Sequence, residues 1–200
     1  TERPARDHDA QIRVWLVTPD HDIVAVGPAS VGDPGAPTAL RARDLRPVDP
    51  SALTILRRVE RDTPLTSGHD VADGPGQRRR LAAGQMVAPV PVFSEPSELG
   101  GPVASPLTLV DLLHKVPQRV LPTLVPEVVG MWGACEIRHH QPVHLDQEYA
   151  VGGCVAELSD SPRTEILWLE SEAHDADGVL AASMLLQVRL LKASLAGGAA

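Results

Sequence analysis

Residues 105–117 are apolar every third or fourth position, and the period then changes to that of extended chain for the last third of the sequence. Leu109, Leu112, Leu113 and Val116 share one helical face. Ser105 followed by Pro106 supplies a side-chain cap and a first-turn proline, and Pro117 marks the expected end of the regular helix. Behind this helix come four long apolar or alternating runs, at 131–139, 148–158, 163–174 and 179–192. Turn formers separate them at 141–147, 159–162 and 175–178. One helix followed by an antiparallel meander predicts an α+β fold with a long antiparallel sheet.

The front of the chain is less regular. Runs at 12–17 and 23–26 flank Pro19-Asp20-His21-Asp22 and predict a hairpin. Residues 27–39 are rich in Pro, Gly and Ala and read as loop. Asp49-Pro50 starts a predicted short helix to about residue 61, with Leu53, Leu56 and Val59 on its apolar face. Turn formers through 63–76 predict a linker or lid. Residues 86–93 look extended, with Pro89 and Pro91 restricting them to an edge or bulge. The resulting organisation is an N-terminal extension over 1–76, readable also as a degenerate second half, a domain over 77–194, and a disordered tail over 195–200.

Composition narrows the function classes. The formal net charge is −8, which disfavours nucleic acid as a partner because that affinity comes mainly from clustered positive charge. Arg78-Arg79-Arg80 is the local exception, read as a solvated basic turn or as a clamp for a phosphate-bearing ligand. No apolar run is long enough to cross a bilayer and no secretory segment opens the sequence, so no membrane partner and a cytoplasmic location are expected. Cys135 and Cys154 are too few for a disulfide framework and read as buried, reduced thiols. There is no Gly-x-Ser-x-Gly elbow, phosphate loop or dinucleotide fingerprint, and no cofactor is expected.

Several segments resemble one family. Gly101-Pro102-Val103-Ala104-Ser105-Pro106-Leu107-Thr108 is similar to the lead into the central helix of MaoC-like acyl dehydratases, members of the hotdog-fold superfamily. Ile137-Arg138-His139-His140-Gln141-Pro142-Val143, the run 149–155 and Asp177-Gly178-Val179-Leu180-Ala181 resemble the strands that follow. The resemblance covers about 81–194 and implies a hotdog fold, a long antiparallel sheet wrapped around a central helix, acting on an acyl thioester, either acyl-CoA or an acyl-carrier-protein conjugate. It also implies a homodimer, since one hotdog copy leaves a sheet edge open. The chain departs from the family where chemistry is concerned. The usual Asp-x-x-Pro-x-His motif is not evident, and Ser105-Pro106 stands where the family often has His-Gly.

Replacement groups come from alternation and helical spacing. Cys135, Ile137 and His139 should face the helix, with His139 at the end of that face as a base; the bland alternative is a hydrogen-bonded core or interface histidine. Asp111 and His114 share a helical face, so the carboxylate could orient the imidazole, or pair instead with Lys115. Ser105, Arg138 and His140 are the expected substrate contacts, with amides at the helix start polarising the thioester carbonyl. His140, His144 and Asp146 are metal-ligand types, but their spacing matches no metal motif and no metal is expected. Three functions follow: hydration–dehydration or a related acid–base step, as in secondary metabolism; thioester hydrolysis with Asp111 or Glu136 activating water; or a non-catalytic acyl-binding or scaffold subunit.

Overall fold

The computed structural model describes residues 10–31, 48–85, 90–126 and 128–194. The chain divides into two compact units, Thr1–Arg43 and Asp44–Ala200. In the first, β1 (Ala10–Val17) and β2 (Ile23–Val31) form the expected antiparallel hairpin. Its turn is closed by the Thr18 carbonyl accepting from His21 N–H at 2.9 Å, with His21 in the left-handed region at φ 66°.

The second unit is an antiparallel sheet in the order β3-β5-β6-β7-β4. Its strands are β3 (Pro64–Val71), β4 (Gly130–His139), β5 (Glu148–Asp160), β6 (Thr164–His174) and β7 (Leu180–Leu191). Among the described residues three α-helices accompany it: α1 (Gly74–Ala82), α2 (Pro106–Leu113) and α3 (Lys115–Leu124). The four long strands and the α2 cap fall where the apolar pattern puts them. Leu109, Leu112, Leu113 and Val116 are buried against Leu167, Leu169, Met184, Leu186 and Val188 on one face of the sheet. The helix continues past Pro117 because the chain breaks at His114 and restarts as α3. Pro117 then sits in a first turn, where its missing N–H costs nothing.

Three expectations change. The 63–76 linker is largely the edge strand β3 followed by the start of α1, so the sheet begins well before residue 77. Turn-forming residues are tolerated there because only one side of an edge strand must pair, and Pro64 stands at its first position. The 86–93 segment ends in a short 3-10 turn, Pro91–Phe93, while 86–89 lie outside the described residues, as does the 195–200 tail.

The helix after Asp49 is reduced to a single 3-10 turn, Pro50–Ala52, although Leu53, Leu56 and Val59 are buried as expected. Glu165 supplies the reason. Its buried carboxylate accepts from Thr54, Ile55 and Leu56 N–H at 2.8, 2.9 and 2.9 Å, the donors a continuing helix would spend on itself. Glu165 lies on the helix-facing side of β6, not on a solvated outer face. Replacing it with Gln puts an N–H₂ against those donors, so Glu165→Gln should lower unfolding stability in urea by about 1–3 kcal/mol. A change below about 0.5 kcal/mol would show that this clamp does not hold the segment.

Candidate active site

The loop from β3 into α1 fixes the first half of the site. Asp73 caps α1 by accepting from Gly76 N–H at 2.8 Å, and Pro75 occupies the first turn. This aims Gln77 inward, where its side chain is fully buried. Its Nε2 donates to the Phe93 and Val103 carbonyls, each at 2.8 Å, and its Oε1 accepts from Ser105 N–H at 2.7 Å and from the Thr108 hydroxyl at 2.6 Å. Two donors and two lone pairs are all used. Arg80, one turn on, donates to Thr108 Oγ1 at 2.9 Å and pairs with Asp111 at 3.0 Å. The run Arg78–Arg80 is therefore helical and not a turn, and Arg78 is paired with Asp146 at 3.1 Å.

This bonding uses up most of the α2 N-terminus. Ser105 N–H goes to Gln77, Pro106 has no N–H, and Thr108 N–H goes to Ser105 Oγ at 3.3 Å. Leu107 N–H is the one first-turn donor left without an internal acceptor among the described hydrogen bonds. The expected row of carbonyl-polarising amides shrinks to this single group.

A cleft of about 320 Å³ opens beside that turn. Val103, Ala104 and Pro106 form one wall, and His139, His140 and Val143 another. The walls are stitched by Ala104 N–H to the Val143 carbonyl at 2.7 Å and Leu145 N–H to the Pro102 carbonyl at 3.1 Å. Tyr149 supports the same turn, its hydroxyl accepting from His144 N–H at 2.8 Å. His139 presents much of its surface to solvent, yet the protein around its ring lowers its pKa, with the neighbouring His140 as the smaller cause. The neutral imidazole, able to accept a proton, is thus the resting form at pH 7. His140 is hydrogen-bonded to Ser183 Oγ at 3.1 Å.

The other expected residues lie elsewhere. Ser105 is fully buried, and its hydroxyl serves as the α2 cap. Asp111 is taken by Arg80 and not by Lys115, and no hydrogen bond joins it to His114. His114 sits at the α2–α3 junction, edge-on to Trp132 with ring centroids 4.7 Å apart, and its buried Nε2 has no partner. Burial lowers its pKa against the opposing pull of Asp111, and Lys115 lowers it further. Arg138 reaches the buried Glu136 at 2.8 Å on the opposite face of the sheet, away from the cleft. Cys135 is exposed and Cys154 half-buried, contrary to expectation. Both thiols are still pushed up, first by desolvation and then by nearby carboxylates. No group of three side chains able to hold a metal ion occurs among the described residues. A second, larger hollow of about 670 Å³ lies around the turn between β6 and β7, lined by His69, Glu148 and His174.

The residue that sequence reasoning missed is Gln77, and a signal for it was present. Ala72-Asp73-Gly74-Pro75-Gly76-Gln77 has the spacing of Asp-x-x-Pro-x-His, with Ala in the place of Asp and Gln in the place of His. It also stands where that motif belongs, ahead of the central helix.

Comparison with solved structures agrees with this architecture. The chain superposes on a monoamine oxidase regulatory protein from Archaeoglobus fulgius with a TM-score of 0.57 at 13% identity, covering 70% of this chain and 95% of that one. A MaoC-like dehydratase from Rhodospirillum rubrum matches with a TM-score of 0.52 at 16% identity, over 69% of this chain and 97% of the other. An (R)-hydratase from A. caviae involved in PHA biosynthesis matches with 0.51 at 15% identity, over 67% and 98%. No family model and no curated protein sequence matches the chain. The fold is the hotdog fold, as found in MaoC-like dehydratases and (R)-hydratases. Among the described residues no helix is long and apolar enough to cross a membrane.

The amide node makes a clear stability prediction. Gln77→Leu keeps most of the volume but strands the Ser105 N–H and two carbonyls, so unfolding in urea should show a loss of about 2–5 kcal/mol. A loss under about 1 kcal/mol would mean that the node is not what fixes α1 to α2.

Proposed function

We propose that the protein takes an acyl thioester, as acyl-CoA or an acyl-carrier-protein conjugate, into the cleft beside the α2 N-terminus. There it acts by general acid–base chemistry, in hydration–dehydration or a related step. The observation that carries this reading is the place of His139 on the wall of a largely apolar cleft whose other wall includes Pro106 in the first turn of α2; desolvation of the ring lowers its pKa and favours the neutral imidazole. Such a ring can take or return a proton at the acyl chain while the Leu107 amide of that turn favours charge on the thioester oxygen. Two copies pair along the open edge of β4, where Val129, Met131 and Trp132 are exposed.

A second reading has its own observation. Ala72 and Gln77 stand in the places of a titratable pair, and a fully bonded amide cannot move protons. That favours a subunit which binds the acyl thioester and leaves the chemistry to a partner.

Mass spectrometry of 3-hydroxyacyl- and 2,3-unsaturated acyl-CoA after incubation with the protein separates the readings. Gain or loss of water with the thioester intact is the expected result. His139→Gln should cut it by about a hundredfold or more while leaving binding and folding intact. The rate should fall on the acid side below the ordinary histidine range, because the base form is needed and burial holds its pKa down. Free thiol would point to a thioesterase. Binding without turnover, or an unaffected His139→Gln variant, would overturn the assignment of His139.

A further inference from the structure

The cleft beside α2 has an open rim and a closed floor. Leu99, Pro106, His139 and His140 stand exposed at the rim, whereas Val103, Ala104 and Val143 are 8%, 4% and 2% exposed. A seam of backbone pairing holds these buried three. Ala104 N–H donates to the Val143 carbonyl at 2.7 Å, Val103 bridges His144, and Leu145 N–H donates to the Pro102 carbonyl at 3.1 Å. Paired segments stand about 4.8 Å apart, a gap that their own hydrogen bonds fill, so no hydrocarbon chain passes between them.

Both lips of the seam are pinned. Gln77 bonds the Val103 carbonyl and the Ser105 N–H on either side of Ala104, so three consecutive residues are held. On the other lip the Tyr149 hydroxyl accepts from His144 N–H. Ala104 and Val143 belong to the same core as Leu109, Leu112, Ala182 and Met184, the last four no more than 2% exposed. A path inward along α2 would strand several buried backbone groups at once, each costly to leave unpaired. The acyl group therefore stops at the seam.

The volume sets how much of the ligand fits above that floor. An apolar cavity of about 150 Å³ takes one benzene, so the cleft, at about 320 Å³, has room for roughly twelve heavy atoms. The thioester and the first atoms of its pantetheine arm take roughly half of that space. We propose that the ligands are short-chain acyl thioesters, with an acyl group of about four to six carbons that ends on Ala104 and Val143. Carbons beyond these stay in water and add nothing to recognition. This rests on the acyl-thioester reading of the cleft and names the substrates within it.

The test is calorimetric titration of the full chain with acetyl-, butanoyl-, hexanoyl-, octanoyl- and dodecanoyl-CoA. Affinity should rise about fourfold for each methylene the cleft buries, up to about hexanoyl, and stay flat from there to dodecanoyl. Val143→Ala deepens the floor and should move that break up by about one or two carbons, whereas Leu99→Ala at the rim should leave it in place. If Val143→Ala does not fold, the native series decides alone. Affinity that climbs steadily through dodecanoyl overturns the closed floor while preserving the acyl-thioester reading, as does a break that stays put in folded Val143→Ala. Equal affinity for all five, or no binding of any, overturns both.

Discussion

The structure around the cleft depends on one buried side-chain amide. Gln77 joins α1, the segment at Phe93, the strand-like stretch at Val103 and the first turn of α2 through four hydrogen bonds. Other polar contacts join these pieces in pairs, Arg80 to Thr108 and Asp111 and Val103 N–H to the Val92 carbonyl at 3.0 Å, but the amide ties all of them at one point. A fully satisfied buried network rigidifies what it connects, whereas a half-satisfied one costs more than an apolar core. Its bonding has a chemical consequence too. The donors that could hold charge at a helix start, and the position that could carry a proton, are spent on architecture. Reactivity is left to groups on the other wall of the cleft, His139 foremost.

How the sequence distributes its information follows from the range of the interactions involved. The four long strands, the α2 cap and the buried α2 face were legible because each rests on local alternation or on a cap within one turn. The helix after Asp49 was not. Its local pattern is helical, but Glu165, more than a hundred residues later, captures the amides it needs. Strand β3 was hidden for a related reason. A sequence such as Pro64-Leu65-Thr66-Ser67-Gly68 has no strand signal, and pairing with β5 is what makes it extended.

The candidate site was legible in part. Alternation placed His139 and Ile137 on the helix side of β4, and the cleft includes His139 and His140. It could not foresee that Arg138 would be held by a buried Glu136, or that Asp111 would be held by an arginine from another helix. Ion pairs between distant segments leave no periodic trace.

The central claim is that the ligand enters beside the α2 N-terminus and not at the larger, more polar hollow near His69 and His174. Hydrogen–deuterium exchange with and without dodecanoyl-CoA tests this directly. Slower exchange confined to residues 102–110 and 139–145 on ligand addition is the predicted result. Protection at 67–71 and 174–179, with none around α2, would contradict it.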